Sequence, residues 1–228
     1  GERQADYADY AAQVLAAARS LVGIGVAAGD HVGVLMPNCW DYAVLSDAAA
    51  MIGAAAVVLN SRYRGEDLRY VVDHARIKVL FTSGVARPHL DLRGLLVTAF
   101  PELADWKKGS ALQAAACPQL KQVFHFGAPE EDAWPVEADF AAAGSAVDDE
   151  TMADRIGAVA PDDTALVIFS SGTTTKPKAC LISHHSVTAV AGGIAERLKL
   201  AEDDVFWDPL PMYHLSSHLP LNSCRQTG

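Results

Sequence analysis

Residues 169–186 read FSSGTTTKPKACLISHHS. Five hydroxyl side chains, Ser170, Ser171, Thr173, Thr174 and Thr175, stand around Gly172, and Lys176 and Lys178 follow on either side of Pro177. Hydroxyls and turn N–H groups donate to anions, and a mobile ammonium adds positive charge, so this spacing offers to hold a phosphate. Gly172 and Lys178 keep the glycine-to-lysine interval of G-x-x-x-x-G-K-[ST], but Pro177 replaces the second glycine and Ala179 the magnesium-binding hydroxyl. The loop is therefore not of that type. Composition alone fits equally a Ser/Thr-rich surface hairpin that holds nothing.

Other candidate groupings point away from metal and dinucleotide chemistry. His214 and His218 stand one helical turn apart, yet no Glu follows His214 as H-E-x-x-H demands and no third ligand is evident. No metal site is expected. The glycines of GIGVAAG (residues 23–29) follow a helical stretch rather than a strand, and the third comes one place late for G-x-G-x-x-G, so the segment reads as a helix-to-strand turn. Cys39, Cys117, Cys180 and Cys224 lie too far apart for a redox or metal pair and read as reduced thiols of a cytoplasmic protein. With 28 acidic against 18 basic residues, a formal net charge of -10, the chain lacks the basic stripe that nucleic acid requires. Its first residues, GERQADYADY, carry no signal-peptide core. No run reaches the ~18 apolar residues of an integral membrane segment, which leaves peripheral membrane contact open.

The elements that must carry the loop follow from periodicity. Ala11, Val14, Leu15, Ala18, Leu21 and Val22 recur at helical spacing and predict a helix over 7–22. The apolar run 31–36, stopped by Pro37 and Asn38, the helical stretch 40–52 and the run 54–59 predict strand, helix, strand. A helix over 65–75, with Leu68, Val71 and Val72 on one face, leads to a strand over 78–82. Further strands are predicted at 94–99 (GLLVTA) and 122–126, with 107–116 bridging them. Residues 128–163 are acidic and rich in Ala, Pro and Gly, and read as a surface excursion with one short helix. Strands at 165–170 and 179–183 then flank an exposed loop at 171–178, and a helix runs from about 184 to 198 with Ser183 as its N-cap. Such alternation predicts an α/β fold, layered, with a largely parallel sheet flanked by helices.

Taken with its neighbours, the segment 165–187 resembles the phosphate-loop signature of the adenylate-forming (AMP-binding) superfamily, which holds acyl-CoA synthetases, luciferases and peptide-synthetase adenylation domains. That signature runs aromatic-Thr-Ser-Gly-Thr-Thr-Gly-x-Pro-Lys-Gly, then a few apolar residues and Ser/Thr-His. Here it reads Phe169-Ser170-Ser171-Gly172-Thr173-Thr174-Thr175-Lys176-Pro177-Lys178-Ala179, then CLI and Ser183-His184. Thr175 and Ala179 stand where the family has glycine; Thr175 is the costlier departure, because a β-branched residue is strained wherever the backbone needs φ > 0. Residues 7–21, 25–38, 53–83 and 210–216 follow the family order as well.

The resemblance implies an incomplete N-terminal part of the adenylate-forming fold, with residues 1–203 carrying the phosphate loop and 204–228 starting the next subdomain. It implies ATP with Mg2+ at Ser170, Ser171, Gly172, Thr173, Thr174, Thr175 and Lys178. Pro211-Met212-Tyr213-His214 matches the family's Pro-x-aromatic-His segment, which places Tyr213 and His214 beside an acyl and nucleotide pocket. Amino-acid-activating relatives usually carry Asp where His214 stands, so the implied partner is a small-molecule carboxylic acid of fatty or aryl type. The implied reaction forms an acyl-adenylate from the acid and ATP, then a thioester with coenzyme A. No catalytic residue is identified, because the family's aromatic-Gly-x-Thr-Glu segment, ribose-binding Asp, hinge and adenylation lysine are not found here. The chain thus resembles a fragment of a carboxylic acid:CoA ligase, inactive on its own; the alternative is a non-catalytic nucleotide-binding or protein-interaction module derived from that family.

Overall fold

The computed structural model describes residues 4–86, 89–129, 131–170 and 176–227. Six strands form one sheet: β1 (His31–Leu35), β2 (Ala55–Val58), β3 (Ile77–Ser83), β4 (Gln122–Phe126), β5 (Thr164–Ser170) and β6 (Lys178–Ser183). The order is β4-β3-β1-β2-β5-β6. The first five run parallel, and β6 returns antiparallel along β5 as the edge.

Alternate residues of these strands feed two cores, as the two-residue period of a strand requires. Val32, Val34, Ala56, Val58, Phe81, Phe124 and Ile168 face one side. Ala55, Val57, Ile77, Leu80, Val123, Val167 and Phe169 face the other. Parallel strands buried on both faces are expected to be this apolar throughout. The first face is covered by α1 (Tyr7–Gly23), α2 (Trp40–Met51), α5 (Glu137–Ala143) and α6 (Asp149–Gly157), and the second by α3 (Gly65–His74) and α4 (Leu92–Ala99). Two more helices, α7 (His184–Leu198) and α8 (Leu215–Thr227), pack against each other, with α7 also on β5 and β6.

Helix starts are chemically marked. Asp6 accepts from the Asp9 N–H at 2.7 Å, Asp148 from Thr151 N–H at 2.7 Å, and Ser183, the expected cap, from Ser186 N–H at 3.2 Å. The GIGVAAG segment is the helix-to-strand turn its sequence suggests: Gly25 and Gly29 hold φ of 85° and 79°, a region that disfavours other residues. No described helix is long and apolar enough to cross a membrane.

Two expectations are corrected. Residues 94–99 are helical, not a strand: Asp91 caps α4 through the Gly94 N–H at 3.0 Å, and Leu92, Leu96 and Ala99 bury one face at helical spacing. Residues 128–163 are not a surface excursion with a single helix. They hold α5 and α6 and bury Trp134, Phe140 and Met152. The Trp134 indole N–H donates to the Leu103 carbonyl at 3.1 Å, and the Phe140 ring lies 5.0 Å from Phe81 and 5.4 Å from Phe124. The helix α8 was not foreseen, having weak amphipathicity and Pro220 in its interior.

Candidate functional site

Five parallel strands place all their carboxyl ends on one edge of the sheet, the edge where ligands bind in open α/β folds. The hydroxyl-rich loop leaves from that edge. Ser170 ends β5 and Lys178 opens β6, and the two are direct cross-strand partners, with the Ser170 hydroxyl donating to the Lys178 carbonyl at 3.5 Å. Lys178, expected within the loop, is already the first residue of the edge strand, and it is exposed. Ser171, Gly172, Thr173, Thr174 and Thr175 lie outside the described residues.

The returning arm of the loop rests on α3. The Tyr70 hydroxyl donates to the Pro177 carbonyl at 3.3 Å, and the Lys176 ammonium sits 4.7 Å from the Tyr70 ring centroid. Tyr70 stacks on His74 at 5.2 Å, and His74 meets Phe169 of β5 edge-on at 6.2 Å. Tyr70 was not singled out from sequence, since nothing local ties it to a segment 107 residues away.

The second predicted segment reaches the same edge. Beyond β1 the chain runs Met36-Pro37-Asn38, and the Asn38 carboxamide donates to the Leu210 carbonyl at 2.6 Å and accepts from the Met212 N–H at 2.9 Å. Strands stand roughly 4.8 Å apart. Ser170 on β5 and the end of β1 are two strand spacings apart, with β2 between them. Tyr213 follows Met212 and lies near Tyr42 of α2 and Tyr63 in the turn after β2. Burial first, then Asp67 and Tyr213, push the Tyr63 phenol up to about 12. The Tyr213 and His214 rings lie 4.6 Å apart, with His214 exposed.

His218 differs from its neighbour. It is buried beside Tyr42, at 6.1 Å between ring centroids, its side chain hydrogen-bonds the Met212 backbone, and its Nε2 has no hydrogen-bond partner among the described residues. Burial, reinforced by Arg225, lowers its pKa to about 4. An imidazole held neutral this way is a core residue rather than a general acid. Among the described residues, no group of three His, Cys, Asp or Glu side chains could hold a metal ion.

A cavity of about 670 Å³ adjoins the Asn38 contact, lined by Tyr10, Asn38, Cys39, Trp40, Phe206 and Met212 among others. Tyr213 and His214 are not among its lining residues. At its base Arg225 of α8 donates to Asp47 at 3.1 Å and to the Tyr10 hydroxyl at 2.8 Å, while the Tyr10 hydroxyl donates to Asp47 at 2.6 Å. This network ties α8 to α1 and α2.

The whole chain, residues 1–228, matches the family model of the AMP-binding enzymes. It is 31% identical over 222 residues to the 3-[(3aS,4S,7aS)-7a-methyl-1,5-dioxo-octahydro-1H-inden-4-yl]propanoyl:CoA ligase of Mycobacterium tuberculosis, covering 94% of this chain and 39% of that protein. It is 29% identical to an acyl-CoA ligase of Ajellomyces capsulatus, covering 86% of this chain and 32% of the relative. Its fold matches the crystal structure of the anthranilate CoA ligase AuaEII in complex with anthranoyl-AMP with a TM-score of 0.77 at 16% identity, over 99% of this chain and 38% of that one. The chain thus spans less than half the length of these relatives. With the family model matched from end to end, this chain belongs to the AMP-binding enzyme family.

Proposed function

We propose that the chain is the N-terminal part of an ATP-dependent carboxylic acid:CoA ligase acting on a fatty or aryl acid. The observation that carries this reading is the convergence of the two signature segments: the stem of the hydroxyl loop and the Pro211–His214 segment meet the sheet at one edge, two strands apart. Family membership and the named acyl-CoA ligases among the relatives support the same reading. Residues 1–203 then carry the phosphate loop, and residues 204–228 open the next subdomain.

The roles follow from the chemistry of the groups. Ser171, Gly172, Thr173, Thr174 and Thr175 offer hydroxyl and backbone donors to the β- and γ-phosphates, Ser170 joins them by turning its hydroxyl away from the Lys178 carbonyl, and Lys178 adds the charge that favours pyrophosphate as it leaves. The paired Ser170 and exposed Lys178, at the carboxyl end of β5, suit a polyanion. Mg2+, when bound with ATP, neutralises phosphate charge. Tyr213 and His214 border the acid. One carboxylate oxygen attacks the α-phosphorus and the bond to pyrophosphate breaks, leaving an acyl-adenylate. The coenzyme A sulfur then attacks the acyl carbon, its proton is lost and AMP departs. Four free thiols accord with a cytoplasmic setting.

The test is competitive binding to the purified chain, with ATP set against benzoyl-sulfamoyl-adenosine, a stable mimic of an aryl-adenylate. A mimic of the reaction's intermediate should bind more tightly than ATP, because it fills the acyl pocket as well as the nucleotide site. ATP binding without preference for the acyl compound would instead favour the nucleotide-binding module, and binding of neither would favour the interaction module.

A further inference from the structure

We propose that Asn38 is the positioning residue for the Pro211–His214 segment, a role that rests on reading this segment as the border of the acyl pocket. The strand β1 stops at Leu35, and Pro37 has no N–H with which to continue a ladder, so the chain leaves the sheet at the edge where the loop also opens. Asn38 comes next. Its carboxamide presents a donor and an acceptor side by side, and both are used on backbone: Nδ2–H to the Leu210 carbonyl at 2.6 Å, and Met212 N–H to Oδ1 at 2.9 Å. The amide side chain thus does for residues 210 and 212 what a neighbouring strand residue would do.

Besides Asn38, the Met212 backbone hydrogen-bonds the His218 side chain of α8. Val205 is 96% exposed and Trp207 81%, so apolar packing does not fix the approach until Met212, which is buried. Asp208 accepts from the Leu210 N–H at 3.2 Å and from the Ser217 hydroxyl, ties internal to the segment and to α8. The far end of α8 is fixed by Arg225 on Asp47 and Tyr10. Asn38 is therefore the anchor between the sheet and Leu210 and Met212, which lead into Tyr213 and His214. Asp can keep only the acceptor half of the clasp and sets a carboxylate against the Leu210 carbonyl. Ala keeps neither half.

The experiment is residue-resolved amide exchange by NMR on the 228-residue chain, in wild type, Asn38→Ala and Asn38→Asp, with titrations of ATP and benzoyl-sulfamoyl-adenosine alongside. The Met212 amide should lose about tenfold or more of its protection in Asn38→Ala, the order expected when a net hydrogen bond is lost. It should keep most of it in Asn38→Asp, while the amides of β1 to β5 stay unchanged in both. Affinity for the acyl compound should fall about tenfold in Asn38→Ala with ATP affinity within about twofold. Undiminished Met212 protection in Asn38→Ala would overturn the positioning role. A loosened Met212 with unchanged affinity for the acyl compound would show that Asn38 holds the segment but that the segment does not border an acyl pocket, so the underlying functional reading would fail separately. Should Asn38→Ala not fold, protected Met212 in Asn38→Asp together with an altered Leu210 environment decides the clasp.

Discussion

At the scale of single residues, two positions carry the sharpest consequences. Thr175 stands where the signature that the chain resembles has glycine, and Thr175→Gly should tighten ATP binding severalfold in a calorimetric titration, a gain of about 1 kcal/mol. His218 links stability to pH. Its folded pKa of about 4 lies below the ordinary 6.5, so the unfolded chain takes up the proton first. The stabilisation is therefore fully present above pH 6.5 and is lost as pH falls from there toward 4, on the order of 3 kcal/mol in all. Urea titrations across that window should show stability declining in wild type and a flatter profile in His218→Gln. Ser170, Lys178 and His214 could be singled out from sequence, because their types and spacing match the segments that carry the family resemblance. The anchors Tyr70 and Asn38 could not, since each acts on a partner more than a hundred residues away through a contact that only the fold creates.

At the scale of elements, legibility followed the length and period of the apolar pattern. The strands β1, β4 and β5 and the helices α1, α2, α3 and α7 stand within a residue or two of where periodicity puts them. The run GLLVTA did not decide between buried strand and buried helix over six residues, and the capping Asp91 with Leu92, Leu96 and Ala99 was the signal that would have chosen helix. The acidic stretch 128–163 misled for a different reason: its contribution to the core comes from isolated aromatics rather than from a periodic face. Phe140 shows the size of that contribution. Its ring meets Phe81, Phe124 and Phe126 at 5.0, 5.4 and 5.8 Å. Phe140→Ala should therefore cost about 3–5 kcal/mol, read as a lower urea midpoint at unchanged slope. A cost below about 1 kcal/mol would mean that α5 is peripheral to the core after all.

At the scale of the whole molecule, the sheet gathers one end of its strands into a single edge, where Ser170 pairs with Lys178 and Asn38 holds Leu210 and Met212. Adenylate formation needs charge stabilised from several directions at once. The segments that the family resemblance assigns to the ribose and the α-phosphate are not found among these residues. The isolated 228-residue chain should accordingly show no carboxylate-dependent exchange of labelled pyrophosphate into ATP above background with hexanoate, palmitate or benzoate, since losing several concerted donors leaves little rate. Robust exchange by the pure chain would mean that the catalytic groups have been misplaced. Holding the phosphates does not require those donors, so ATP binding tests the central claim, that residues 170–178 hold the phosphates of ATP, most directly. The measurement is calorimetric titration of the chain with MgATP, in wild type and Lys178→Ala. Saturable binding that weakens about tenfold or more on loss of the ammonium is the predicted result, and either no binding by the folded wild-type chain or equal binding by both proteins would contradict it.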